Sequence, residues 1–392
     1  MFDTLFIATS GLMSHAKGLR TVGNNLANVN TPGFKAAQQQ FGALFGQGAQ
    51  QGGQGQGVGV QAAGTQVMFK AGTEQGTGNA LDLSINGNGM FAVKRDGKVL
   101  YTRDGGFQFN GEDILVNAAG DHVQALDGSG ALVDVKLGDL YRNAPKATTS
   151  VKFLGNLSTV IATPPVDATV NGVTLYDSKG VSHTVNLSFK DGGTVNGSNT
   201  FTVTIKDGVA NGATLGTGTI VFDAGAPQAG KDKITFDYKS TGVSAFKVEL
   251  DFSKAGAAGS PTTLQANQQD GYAPGVRTDQ SFDKDGLLTV TYSNGQKVKG
   301  PRLALADFAQ GQDLEQMGGS MFALRAGGSV RYGFAATESF GTLAAGRREG
   351  SNVDMAEEFG NLILMQRGYQ ASSHVISTAN DMIQQLFDMK GR

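Results

Sequence analysis

The sequence predicts a mainly β chain with long terminal α-helices: two β-domains in an elongated subunit, with the N- and C-terminal helices paired as a coiled-coil-like inner domain. Three observations carry this. Glycine supplies 58 of 392 residues, about twice its usual share of about 7%, which favours turns and short strands over a helical bundle. Apolar residues recur every seven positions at both ends of the chain. Between them, short β-patterned runs alternate with Asn-Gly and Asp-Gly turns, the strongest local hairpin signals.

The N-terminal helix covers residues 1 to about 30. Leu5, Leu12, Leu19 and Leu26 form the heptad, with Phe2, Ala8, Met13 and Val22 widening the stripe. Such a pattern marks a helix that packs along other helices. Gly11 and Gly18, also seven apart, would let another helix approach closely. Asn30-Thr31-Pro32-Gly33 ends the helix, because proline disfavours helical backbone in the residue before it.

The C-terminal helix starts near residue 353. Met355, Leu362, Tyr369, Ile376 and Ile383 recur every seven residues, and Phe359 and Phe387 broaden the face. Ser351 and Asp354 stand at capping-box spacing, and Glu357 and Glu358 suit the positive end of a helix. At about 1.5 Å per residue this helix is roughly 55 Å long. Both helices carry uncharged amides and hydroxyls where a solvated face would carry Lys and Glu, which suits hydrogen bonding to neighbours in an assembly.

Residues 35–70 form a connecting segment whose stretch 46–66 contains a Gln/Gly-rich tract. Glycine entropy keeps such a stretch from ordering unless it packs against something else. From about 70 to 345 the chain reads as strands and turns, and prolines at 145, 164, 165, 261 and 274 punctuate the borders of an insertion. The expected layout is therefore a discontinuous helical core (1–34 and 353–392), an inner β-domain (71–145 and 284–352) and an inserted outer β-domain (146–283).

Composition narrows the function. Charged residues are 17% and net charge is −2, so nothing points to nucleic acid or to insertion in a membrane as a role. The chain has no cysteine, which removes disulfides, thiol nucleophiles and the commonest soft-metal ligand. Met1-Phe2-Asp3-Thr4-Leu5 lacks the basic and apolar regions of a secretory signal. His15, His122, His183 and His374 show no metal-ligand spacing, and no carboxylates pair as acid and base. No catalytic residue, metal site or cofactor is expected, and the chain reads as a non-enzyme.

The terminal segments resemble the rod–hook family of flagellar axial proteins. The N-terminal match is Ser10-Gly11-Leu12 followed by Asn24-Asn25-Leu26-Ala27-Asn28-Val29-Asn30-Thr31-Pro32-Gly33-Phe34-Lys35. The C-terminal match is Ser351-Asn352-Val353-Asp354, Glu357-Glu358-Phe359 and Gln366-Arg367-Gly368-Tyr369-Gln370-Ala371. Asn86-Gly87-Asn88-Gly89-Met90-Phe91 and Tyr101-Thr102-Arg103-Asp104-Gly105-Gly106-Phe107 give a third. The large insertion, with Thr174-Leu175-Tyr176-Asp177 inside it, is similar to the hook branch.

The resemblance implies a structural subunit of the flagellar hook, polymerising into a flexible curved tube that transmits torque from rod to filament. It implies seams built on Leu5, Leu12, Leu19, Leu26, Met355, Phe359, Leu362, Tyr369, Ile376, Ile383 and Phe387. It also implies export by the flagellar type III apparatus to an extracellular position. Phe41 and Phe45 are similar to the export motif of such substrates, and equally suit a short apolar element of the connecting segment. The implied partners are other copies of the chain, the distal rod protein, the hook cap and the hook–filament junction proteins. Two other readings stand beside this one: a distal rod subunit of the same family, which predicts a straight polymer, and an extracellular β-rich adhesin or binding module, which predicts a monomer with a ligand.

Overall fold

A computed structural model describes residues 2–45, 57–160, 166–195, 197–209, 212–239, 244–309, 311–337 and 339–390. The chain is mainly β with one long helix at each end, and divides into two compact units. The first comprises residues 1–138, 280–290 and 298–392; the second comprises 139–279 and 291–297.

The second unit is a β-sandwich. A five-stranded antiparallel sheet runs in the order Ala168–Tyr176, Ser182–Val195, Ser198–Asp207, Thr214–Asp223, Ala226–Pro227. A four-stranded sheet runs Lys233–Tyr238, Phe246–Ala258, Ser150–Ser158, Gln265–Gln269, and its middle pair is parallel. Along Lys233–Tyr238 burial alternates strictly, and Ile234, Phe236 and Tyr238 point inward. That is the period-two geometry of a strand buried on one face. Phe153, Phe189 and Phe252 meet in one shared core, Phe153 stacked on Phe252 at 4.6 Å.

In the first unit, strands Met90–Arg95 and Lys98–Thr102 form a hairpin closed by Asp96 (φ 48°) and Gly97 (φ 79°). Two left-handed residues in a row make the turn type that matches strand twist, as the Asp-Gly pair predicts. Strands from the two ends of the sequence are paired here: Glu74–Gly76 with Arg347–Glu349, Leu83–Asn86 with Thr342–Ala345, and Met90–Arg95 with Leu305–Phe308. Met90, Ala92, Tyr101, Ala306, Leu314 and Phe322 fill the core between them. The Tyr101 and Tyr332 hydroxyls meet at 2.7 Å, and burial pushes the Tyr101 phenol well above its usual range.

The same unit holds helix α1 (Phe2–Ala27), the antiparallel hairpin of β1 (Ala37–Phe45) and β2 (Gly57–Val67), and helix α2 (Met355–Lys390). Two local expectations change. Residues 57–66, expected as linker, belong to β2, because β1 satisfies their backbone and α1 packs on them: the Val60 amide donates to Ser10 Oγ at 3.2 Å. The glycine-rich tract from Gln47 to Gln56 lies outside the described residues. The cap of α2 is Asp354 itself, whose Oδ1 accepts from the Ala356 and Glu357 amides at 2.8 and 3.2 Å. Ser351 Oγ instead accepts from the Val353 amide, one residue ahead of the cap.

Candidate assembly surface

The two terminal helices pack antiparallel. Gly11 faces Ser372, His15 faces Gly368, Gly18 faces Met365 and Asn25 faces Glu358. The contact is close because it is built on small residues. A Cβ at Gly11 would stand 2.9 Å from Ser372 Oγ, one at Gly18 2.7 Å from Met365 Sδ, and one at Gly368 would overlap the His15 ring. Ala8, Gly11, Ser14, Gly18, Val22 and Asn25 are the buried row of α1. Leu5, Leu12, Leu19 and Leu26 lie three or four residues from members of that row and flank it, each half-buried. The heptad therefore marks the edge of the seam within the chain, and the glycines mark its centre.

On α2, Leu362, Ile376 and Ile383 are half-buried on the side toward α1. Met355, Phe359, Tyr369 and Phe387 are exposed, Phe359 by 50% and Phe387 by 68%. They are not alone. Met355, Phe359 and Ile363 form one exposed row at i+4 spacing, and Leu364, Val375, Met382 and Met389 form another on the opposite flank. A helix apolar on more than one side expects neighbours on more than one side. Helix α1 likewise exposes Phe6 and Met13.

At the base of the helices the motif residues fasten both chain ends to the β-region. Asn25 is buried, and its side chain exchanges two hydrogen bonds with the Ala37 backbone, 2.8 and 3.0 Å, while its amide also donates to Glu358 Oε1 at 2.7 Å. Asn28 donates to the Asn24 carbonyl and accepts from Thr31 Oγ1, which shapes the helix exit before Pro32. Asn24 and Ala27 are exposed. Gly33 takes φ +67° with its amide donating to Glu349 O at 2.8 Å, and a Cβ there would overlap the Asp104 amide. Phe34 is buried beside it in sequence.

The centre of this junction is an ion triad. Lys35 Nζ contacts Glu349 Oε1 at 2.5 Å, and Arg103 Nη1 contacts Glu349 Oε2 at 3.1 Å, with all three residues buried. Burial pushes the Lys35 ammonium pKa down, against the pull of Glu349 beside it. The remaining donors are satisfied: Lys35 donates to Lys70 O, and Arg103 to the carbonyls of Ile85 and Gly87. Asn352 bridges the Ala36 amide and the carbonyls of Met68 and Lys70. Sequence reasoning quoted Lys35, Arg103 and Asn352 within motifs but missed Glu349, which stands in no recognisable pattern. The one available signal is its place two residues before Ser351, in line with strand Arg347–Glu349.

Glu358 has a different environment. It is buried at the first turn of α2, burial pushes its carboxyl above the ordinary range, and the Asn25 bond only partly opposes this. Among the described residues its Oε2 has no hydrogen-bond partner. Phe41 projects from β1 beside His15, ring centres 5.8 Å apart, and Phe45 ends the strand. No group of three or more His, Cys, Asp or Glu among the described residues is placed to hold a metal, and no helix there is long and apolar enough to cross a membrane.

Three family descriptions match the chain: "Flagella basal body rod protein" over 5–35, "Flagellar hook protein FlgE/F/G D1 domain" over 84–222, and "Flagellar basal body rod FlgEFG protein C-terminal" over 344–389. The flagellar hook protein FlgE of Salmonella typhimurium is 30% identical over 98% of this chain and 99% of its own length. That of Escherichia coli K12 is also 30% identical, over 98% and 99%. That of Borreliella burgdorferi is 30% identical over the full length of both. A crystal structure of Helicobacter pylori flagellar hook protein FlgE2 has a similar fold, with TM-score 0.51 at 13% identity, covering 69% of this chain and 98% of that one.

Proposed function

The chain belongs to the flagellar hook protein family and is a hook subunit, and on that premise we propose that it polymerises through its two terminal helices into a flexible curved tube that passes torque from rod to filament. The helices line the inside of the tube, and the two β-regions face outward. The tube is extracellular, and its subunits leave the cell through the flagellar type III apparatus. The distal rod protein, the hook cap and the hook–filament junction proteins meet it at its ends. The work of the chain is mechanical and involves no catalysis.

One observation carries this reading: α2 shows apolar rows on both flanks of the stripe that faces α1, Met355–Phe359–Ile363 on one side and Leu364–Val375–Met382 on the other. Each large apolar side chain covered on assembly contributes roughly 1.5–3 kcal/mol, so a few per subunit hold a seam. Contacts between β-surfaces that are mostly polar are weaker and can slide as the tube bends.

The test is electron microscopy under salting-out conditions of the natural chain, Phe359→Asp and Leu364→Asp, one substitution per row. The natural chain is expected to give curved tubes. Both variants should stay unassembled with unchanged far-ultraviolet circular dichroism, because neither side chain packs within the subunit. Normal tubes from both variants would refute the seams, and straight tubes from the natural chain would favour a rod-like role.

A further inference from the structure

The pairing of the terminal helices is out of balance by about two turns. Asn25 lies opposite Glu358 and Gly11 opposite Ser372, so Phe2, the first residue of α1, stands level with Asp381. Helix α2 continues to Lys390, roughly 13 Å farther at about 1.5 Å per residue. This overhang is apolar: Leu386, Phe387 and Met389 are 52%, 68% and 83% exposed.

Near the same end lies a groove of about 490 Å³ lined by Ile7, Ala8, Gly11, Gly59, Val60 and Val375. Two glycines keep it open. Gly59 takes φ +132°, and a Cβ on it would stand 2.5 Å from Ser10 Oγ. Ile7 and Val375 on the walls are each 42% exposed. The groove and the overhang belong to one rigid helix pair, and α2 points the overhang away from the groove, so a chain does not fill its own groove.

We infer that the α2 overhang of one copy seats Leu386 and Phe387 in the Ile7–Gly11–Gly59–Val375 groove of a second copy. The proposal rests on the self-assembly reading above and names the contact. Knob and groove are different surfaces, so the contact is heterologous. Such a contact propagates into a helix when its rotation does not close a ring, as a tube requires.

Charge supports the pairing. The cations of α1 are Lys17 and Arg20, both exposed beside a neighbouring groove with Gly64, whereas the last ten residues of α2 bring Asp381 and Asp388 against the single Lys390. If the second copy's α2 runs antiparallel to α1 with Phe387 at Gly11, Asp381 arrives at Lys17, six residues along each helix.

The absence of cysteine makes the contact directly readable. Ile7→Cys and Phe387→Cys are made separately, mixed, assembled by salting out and oxidised. Lys17→Cys with Asp381→Cys forms a second pair in case Phe387→Cys weakens the docking. A disulfide needs Cα atoms within about 7 Å, so the expected result is a 7–387 or 17–381 dimer, mapped by peptide mass, from mixed polymers and not from unassembled mixtures. Polymers that yield neither dimer, or only 387–387 links, overturn this docking and leave the hook reading standing. Failure of the natural chain to polymerise overturns both.

Discussion

Glu358 shows how one carboxylate is set apart from its neighbours. Glu357 follows the same cap and is solvated, whereas Glu358 turns inward to Asn25 and loses water. Its pKa lies above the ordinary value, so at neutral pH the ionised carboxylate weakens the docking of α2. That penalty disappears as pH falls through the raised pKa toward the ordinary Glu range, where stability recovers. Glu358→Gln should therefore remove the pH dependence over that window. The natural chain should gain about 1 kcal/mol relative to the variant on acidification, the scale of a desolvated charge, read by melts of helical circular dichroism at several pH values. An equal slope for both proteins would show that another group sets the dependence. In the sequence, Glu357 and Glu358 are indistinguishable first-turn acids, because the difference is the rotation of the helix against Asn25, a residue more than three hundred positions away. The triad of Lys35, Glu349 and Arg103 was hidden for the same reason: its members are distant in sequence and only the paired strands bring them together.

At the scale of elements, both helices were legible from periodicity, and the hairpin turn at Asp96-Gly97 from its dipeptide. Strand β2 was not, because its glycine and glutamine content argues against order until β1 and α1 supply partners. The heptad leucines drew attention away from the glycine row that makes the closest contact. Glycines in α1 and α2 should accordingly respond to alanine in opposite ways. Gly360 has open space around its missing Cβ, so Gly360→Ala should raise helix stability by about 0.5–1 kcal/mol. At Gly368 the new methyl would meet the His15 ring, which lies against Phe41. Gly368→Ala should lose about 1–3 kcal/mol through overpacking. Chemical denaturation followed at helical wavelengths checks both, and a gain at both positions would contradict the close antiparallel register.

At the scale of the molecule, the discontinuous arrangement could be read from where helices, strands and prolines fall. The strand pairs Glu74–Gly76 with Arg347–Glu349 and Leu83–Asn86 with Thr342–Ala345 supply its physical basis, since they close the inner β-region around everything inserted between. What covers α2 could not be read from one chain, because the surface in question is completed by other copies. Chain-level burial leaves Phe359 and Leu364 half or more exposed, a state that costs an apolar helix stability in water and that assembly removes. The most direct measurement is a cryo-electron microscopy reconstruction of the polymer formed by the natural chain. It should show α1 and α2 as the inner wall, with Met355, Phe359, Ile363 and Leu364 covered by neighbouring copies and the β-regions outside. A tube whose lumen is walled by β-sheet, or whose α2 rows still face solvent, would contradict helix-driven assembly.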